Sequence, residues 1–376
     1  MKKKMIAAVF LAAALPAIAL CDVIVETPDG FRRAAQDGGQ GNTLLMMQER
    51  KDVDGLIANV GARLTLSSAA GEALWTQVIG GDGDDMLSQA VWTGEGWLAV
   101  GASSSSDLGE GWHDAWYDVY EPKTDGWIVR LDREGSLLWS RCLGGMDTDA
   151  FYGVCEAWGG GYVIVGETYS GDGDVVGWHD SGELFRQPDG WVVCVDEAGE
   201  VLWQRCLGGS GYDVLRGIVP VEGGYLCVGE TDSQDGDVSG GHGDRDGWVV
   251  YVDTSGEVMA QYCYGGGSED ALWAVTSGEE GILAVGYGWF ENQGEGEQRY
   301  NSNGWALALT ETGEQRWQVR FGVDDNHHAR YVEAGNAWHV AGFTQMNGYE
   351  LHWVVEIPSD GTDWQVIRSR MGEISL

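Results

Sequence analysis

Residues 246–267 read DGWVVYVDTSGEVMAQYCYGGG, and the chain states the same phrase at two earlier places. Residues 189–209 read DGWVVCVDEAGEVLWQRCLGG, residues 125–145 read DGWIVRLDREGSLLWSRCLGG, and a degraded copy, NGWALALTETGEQRWQVRFG, runs over 303–322. A tandem unit of about 50 residues sets the architecture before any single residue is interpreted. Each unit divides into four strand-like pieces. In the copy beginning at Asp213 they are 213–221 (DVLRGIVPV), 225–231 (YLCVGET), 247–252 and 257–264. Gly- and Asp-rich segments punctuate them, and no 3.6-residue periodicity appears. The third piece is apolar on both faces (Trp248, Val249, Val250, Tyr251, Val252), so it must be covered on both sides. The fourth alternates: Trp317, Val319 and Phe321 interleave with Arg316, Gln318 and Arg320, as a half-exposed outer strand does.

Repeated antiparallel units of this kind predict an all-β fold, a single β-propeller of about six four-stranded antiparallel blades, with five or seven left open. The first strands begin near Phe31, Asp85, Asp149, Asp213, Asp270 and His328, and the piece 22–26 adds a strand that helps close the ring. Trp127, Trp191, Trp248, Trp305 and Trp353 recur on the third strand, and Trp75, Trp139, Trp203 and Trp317 on the fourth. Their repetition marks them as packing residues.

The ends and the composition bound the setting. Lys2, Lys3 and Lys4, an apolar run and then Ala17-Ile18-Ala19 have the order of a secretory signal peptide, so residues 1–19 are expected to be removed, leaving an N-terminal segment at 20–30 and a propeller over 31–376. Cys21 raises the alternative of a lipoprotein signal with a lipid anchor at that residue, against which stands the bulky Leu20 before it. No later stretch is apolar enough for a transmembrane segment. The net charge of −37 makes nucleic acid and anionic lipid poor partners. It leaves envelope proteins, glycans and divalent cations open. The seven cysteines include no CxxC pair. Equivalent ones (Cys142, Cys206, Cys263) lie a whole unit apart and are expected to be small buried hydrophobes rather than disulfide partners.

The unit resembles propeller-type repeats found in tandem in secreted and surface proteins of bacteria, of the pattern DxWVVKLDxxGxxxWQKxxGGSGxD followed by GGYxVxGxT and DGDVSGxHG. The likeness is close at 189–196, 199–213, 223–231 and 235–246, good over 81–323 and weak at the ends. It implies a propeller and an extracytoplasmic location, and no particular activity. A weaker resemblance, of Asp196-x-x-Gly199-x-x-x-Trp203 to the tryptophan-docking motif of quinoprotein-type propellers, is one residue short and does not imply a quinone.

In an up-and-down blade the connections after strands two and four leave on one face, and here these are the long, acidic, aromatic ones. Two loop series therefore carry the candidate sites. Asp85, Asp149, Asp213 and Asp270, entering the innermost strands, would ring the channel mouth with carboxylates, or each would close its own turn. The loops after the second strand carry Asp172, Asp174 and Asp180 in one copy and Asp235, Asp237 and Asp244 in another, a spacing that can wrap Ca2+ or make Asx turns. His113, His179 and His242 recur in three of these loops, with local hydrogen bonding expected rather than a shared zinc. Trp112, Trp178 and Trp289 suit stacking on sugar rings or anchoring a protein.

No GxSxG, HExxH or Walker pattern is present. The expected function is a non-enzymatic binding or scaffold role outside the cytoplasm through this acidic, aromatic face. The alternative is a carbohydrate-active hydrolase or lyase with carboxylates at the channel mouth.

Overall fold

The structure, a computed structural model, describes residues 22–27, 30–36, 41–53, 56–108, 113, 123–179, 182, 186–289, 302–322, 326–346 and 349–373. All of its elements are strands, β1 to β25, in six antiparallel sheets. Blade 1 holds β1 (Asp22–Thr27), β2 (Gly30–Gln36), β3 (Thr43–Val53), β4 (Leu56–Ser67) and β5 (Ala73–Ile79). Blade 2 holds β6 (Asp85–Trp92), β7 (Gly96–Ser103), β8 (Asp125–Asp132) and β9 (Leu137–Leu143). Blade 3 holds β10 (Asp149–Glu156), β11 (Tyr162–Thr168), β12 (Asp189–Val195) and β13 (Val201–Leu207). Blade 4 holds β14 (Asp213–Val221), β15 (Gly224–Thr231), β16 (Asp246–Asp253) and β17 (Val258–Tyr264). Blade 5 holds β18 (Asp270–Gly278), β19 (Gly281–Trp289), β20 (Ser302–Leu309) and β21 (Gln315–Phe321). Blade 6 holds β22 (Asn326–Glu333), β23 (Trp338–Met346), β24 (Tyr349–Ile357) and β25 (Gln365–Glu373).

Each blade's innermost strand packs on the blade before it, which makes the assembly a six-bladed β-propeller. The piece at 22–27 forms β1, a fifth strand paired to β2 that lies against β22 of the last blade. Strands follow chain order in every sheet, so blades 1 and 6 share no hydrogen-bonded strand and the ring closes by side-to-side packing. Among the described residues no helix is long and apolar enough to cross a membrane.

The repeated tryptophans explain the stacking. Trp127, Trp191, Trp248 and Trp305 are fully buried, and each indole N–H donates across to the fourth strand: to Ser140 Oγ (2.7 Å), Gln204 Oε1 (2.9 Å), Gln261 Oε1 (3.2 Å) and Gln318 Oε1 (3.0 Å). An apolar ring is thereby buried without an unmet donor. The fourth-strand tryptophans reach the next blade instead. Trp139 lies on the turn glycine Gly199 of blade 3, where a Cβ would sit 2.9 Å from the ring and φ is +83°. Trp75 on Gly135, Trp203 on Gly256 and Trp317 on Gly361 repeat the contact. A left-handed turn that must also admit an indole face accepts only glycine without strain. Between blades 4 and 5 a tyrosine substitutes: Tyr264 Oη donates to Gly313 O (2.9 Å) and accepts from Gln315 N (3.0 Å). At the closing seam the dock is vacant. A Cβ on Gly71 of blade 1 would meet nothing within 4 Å. The cysteines Cys142, Cys155, Cys194, Cys206, Cys227 and Cys263 are all buried free thiols, as their place beside bulky apolar residues predicts.

One irregularity recurs. The innermost strands of blades 2 to 6 each skip one residue in their pairing with the second strand: Ser88, Tyr152, Arg216, Trp273 and Arg330. A bulge of this kind leaves its residue out of the ladder and re-aims its side chain.

Candidate functional site

The inner-strand carboxylates are buried and hydrogen-bonded within their own turns. Asp85, Asp149, Asp213 and Asp270 are fully buried at the base of their own turns. Asp85 Oδ2 accepts from Gly81 N (2.7 Å) and Ser105 Oγ (3.0 Å), and Oδ1 from Ser103 Oγ (2.5 Å). Asp149 accepts from Gly145 N and Ser170 Oγ, both at 2.8 Å. Asp213 accepts from Gly209 N (2.9 Å), Ser233 Oγ (2.6 Å) and Thr231 Oγ1. Asp270 accepts from Gly266 N (2.6 Å) and from Trp289 N (3.0 Å). Burial pushes the carboxyls of Asp149 and Asp270 up to about 7, against the pull of those donors. The geometry is that of Asx-type turn closure.

The loop aspartates act as clasps between connections. Asp174 N donates to Gly144 O (2.8 Å) and its Oδ2 accepts from Gly144 N (3.3 Å), while Asp172 Oδ1 accepts from Met146 N (2.8 Å). Blade 4 repeats this with Asp237 on Gly208 (2.8 and 3.3 Å) and Asp235 Oδ1 on Ser210 N (2.7 Å). Asp244 is exposed; Asp180 and Trp112 lie outside the described residues. Among the described residues no group of three or more His, Cys, Asp or Glu side chains is placed to hold a metal ion. The histidines bond locally, each to the aspartate that opens the third strand: His179 N and Nδ1 to Asp189 Oδ2 (2.8 and 2.9 Å), His242 N to Asp246 (2.7 Å) and His113 N to Asp125 (2.9 Å). His113 Nε2 also comes within 3.8 Å of Asp174 Oδ2, which ties blade 2 to blade 3. Trp178 and Trp289 are half-buried. Trp178 is pinned to its own loop through Nε1 to Gln187 O (3.1 Å) and by Arg186 over its ring at 4.9 Å.

What the structure does bring together is the set of bulge residues. Ser88, Tyr152, Arg216, Trp273 and Arg330 converge in a cavity of about 430 Å³ in the channel, completed by Tyr331, Phe343, Glu350 and His352 of blade 6. Each bulge residue stands three or four positions into its strand from the long-loop face, roughly 10 Å deep at 3.3 Å per residue. Rings and guanidiniums alternate around four successive blades. Arg216 lies 4.9 Å from the Tyr152 ring centre and 4.2 Å from that of Trp273; Arg330 lies 3.3 Å from Trp273 and 5.6 Å from Phe343. Stacked cation–ring contacts of this kind are each worth about 0.5–2 kcal/mol.

The charges do not balance locally. The buried Glu230 serves both Arg216 (2.7 and 3.0 Å) and Arg245 (3.2 Å). Glu167 accepts from Tyr152 Oη at 2.5 Å, and burial raises its carboxyl above the usual range. Arg330 contacts rings only: among the described residues no carboxylate or carbonyl bonds it. Burial, reinforced by the neighbouring Arg216 charge and opposed by Tyr331, holds its guanidinium below the usual range, where it is still charged at neutral pH. The indole N–H of Trp273 is likewise buried without an acceptor. His328, stacked on Phe343 with ring centres 5.4 Å apart, is pushed down to about 4 by burial and by Arg330, so it is neutral near pH 7. Glu350 and His352 pair at 3.3 Å on another wall. The cavity is thus a well lined by arginines and aromatic rings.

The repeat itself hid this site. At one position of the first strand the copies read Ser, Tyr, Arg, Trp and Arg, after a residue that is Leu, Phe, Leu, Leu and Ala. That variation is the signal by which a copy-by-copy alignment could have found it.

No protein-family model matches the chain, and no curated protein matches it. Solved structures are similar at low identity. Sqt1 from Chaetomium thermophilum is 9% identical with a TM-score of 0.41, over 87% of this chain and 67% of that one. An apocarotenoid oxygenase mutant from Synechocystis is 8% identical with a TM-score of 0.34, over 94% and 72%. A eukaryotic initiation factor is 8% identical with a TM-score of 0.29, over 84% and 87%.

Proposed function

We propose that the protein is a non-enzymatic binding propeller of an extracytoplasmic compartment, which takes its ligand on the long-loop face with the channel cavity at the centre of the site. The observation that carries this reading is the convergence of five bulge residues, one from each of blades 2 to 6, on one cavity of about 430 Å³. That volume is in the range of small-molecule sites, which are concave, aromatic-lined and equipped with a few polar groups. The exposed Asp172, Asp235 and Asp244 contribute an acidic surround. The signal-like N-terminus, Cys21 as a lipid-anchor residue, and the likeness to tandem repeats of bacterial envelope proteins support the location. An envelope glycan or protein is the partner class this fits.

The hydrolase or lyase reading needs two carboxyl groups about 5–10 Å apart across a scissile bond. Glu350 is the one carboxylate among the lining residues named for the cavity, and it faces His352. The experiment is a glycan array coupled to a product-release assay. Binding without release, lost in Trp273→Ala, supports the proposal. Release that depends on a single channel carboxylate overturns it.

A further inference from the structure

The geometry points to a hydroxylated monocarboxylate, of the uronic-acid class, as the ligand of the channel cavity; this rests on the cavity being the binding site. Arg330 is the starting point. The guanidinium of Arg330 lies against the Trp273 and Phe343 rings, and no acceptor among the described residues meets its five N–H donors. Arg330 is only partly buried and lines the cavity, so its donors are open to a ligand there. The chain has 59 Asp and Glu against 22 Lys and Arg, yet among the described residues none of those carboxylates bonds Arg330. A ligand that brings an acceptor pair completes the site, and the planar fork of arginine matches a carboxylate in bidentate fashion.

Three further features narrow the class. Glu230 already sits beside Arg216 at 2.7 Å and the surrounding loops are acidic, so a second negative charge on the ligand is disfavoured and a monoanion fits better than a phosphate dianion. Glu350 and His352 on another wall can accept and donate to hydroxyl groups. Tyr152, Trp273 and Phe343 add apolar lining for the C–H side of a pyranose. A cavity of about 430 Å³ holds one sugar unit with room for part of a second, so the unit is either free or at a chain end.

Isothermal titration of the full mature chain with glucuronate, glucose, inorganic phosphate and a uronate trimer tests this at fixed ionic strength. The expected result is that glucuronate binds, that glucose and phosphate bind at least about 10-fold more weakly, and that R330M weakens glucuronate about 10- to 100-fold, as loss of a charge-assisted hydrogen-bonded pair does. Trimer binding tighter than monomer assigns a chain end, and equal binding a free sugar acid. R330K, which keeps the charge without the fork, separates lost recognition from lost folding: it should melt as wild type and still bind several-fold more weakly. Phosphate binding as tight as glucuronate, or glucuronate binding indifferent to R330M and R330K, overturns the carboxylate assignment. If a neutral glycan binds instead, and Trp273→Ala but not R330M abolishes it, the channel site stands and only the ligand class falls. If no ligand responds to either variant, both fall.

Discussion

Replacing Gly199 with alanine tests how the blades are locked together. Its φ of +83° places an L-residue in the left-handed region, at a cost of about 1–2 kcal/mol. Its new Cβ would also stand 2.9 Å from the Trp139 ring, and overpacking of this kind adds about 1–3 kcal/mol. Gly71 is the internal control. Its φ is +81° and a Cβ there meets nothing within 4 Å, so Gly71→Ala carries the backbone cost alone. The two variants therefore differ by the docking contribution of about 1–3 kcal/mol. Urea unfolding followed by tryptophan fluorescence and by far-UV circular dichroism reads this difference in the midpoint at unchanged slope. Coincidence of the two probes checks that one transition is being measured. Equal losses for Gly199→Ala and Gly71→Ala would refute the claim that the indole dock fixes blade geometry.

Other outcomes follow from the same contacts. Asp149 and Asp270 titrate near 7 in the fold because of burial, against about 3.9 in an unfolded chain, so between these values the fold binds more protons. Their contribution is fully present below about pH 4 and is lost as pH rises through about 7; the melting temperature should rise on going from pH 8 to pH 5.5, and a fall over that window contradicts the assignment. Because the carboxylates of Asp172, Asp174, Asp235 and Asp237 already accept backbone N–H groups, calcium added after chelation should leave the melting temperature unchanged; a calcium-dependent rise would restore an ion to those loops. Arg216→Met should destabilise by about 3–5 kcal/mol, since it removes one of the two arginines holding the buried Glu230, whereas Arg330→Met, which loses only its ring contacts, should cost about 2 kcal/mol or less in denaturant titration. Equal destabilisation by the two would mean that Arg330 has a structural partner.

The fold was legible because the repeat repeats its packing. Trp191 and its copies announce a strand buried on both faces, and Trp203 and its copies mark a packing position that recurs from blade to blade. First strands expected near Asp85, Asp149, Asp213 and Asp270 begin at those residues. The site was less legible, for a physical reason. Short polar residues such as Asp149 and Asp174 are equally suited to bind ligands and to close turns, and only coordinates show that their oxygens already have backbone donors. The channel residues escaped notice because a bulge shifts them out of the alternation that a strand pattern assumes. Arg216 within DVLRGIVPV looks like an ordinary solvent-facing position until the skipped pairing of β14 with β15 turns it into the channel.

The most direct test of the channel as the ligand site is a crystal structure of the mature protein soaked with glucuronate, compared with R330M treated identically. The account predicts density in the cavity with a carboxylate on Arg330, absent in R330M. Ligand density confined to the outer loops, with the cavity unchanged between the two proteins, would contradict it.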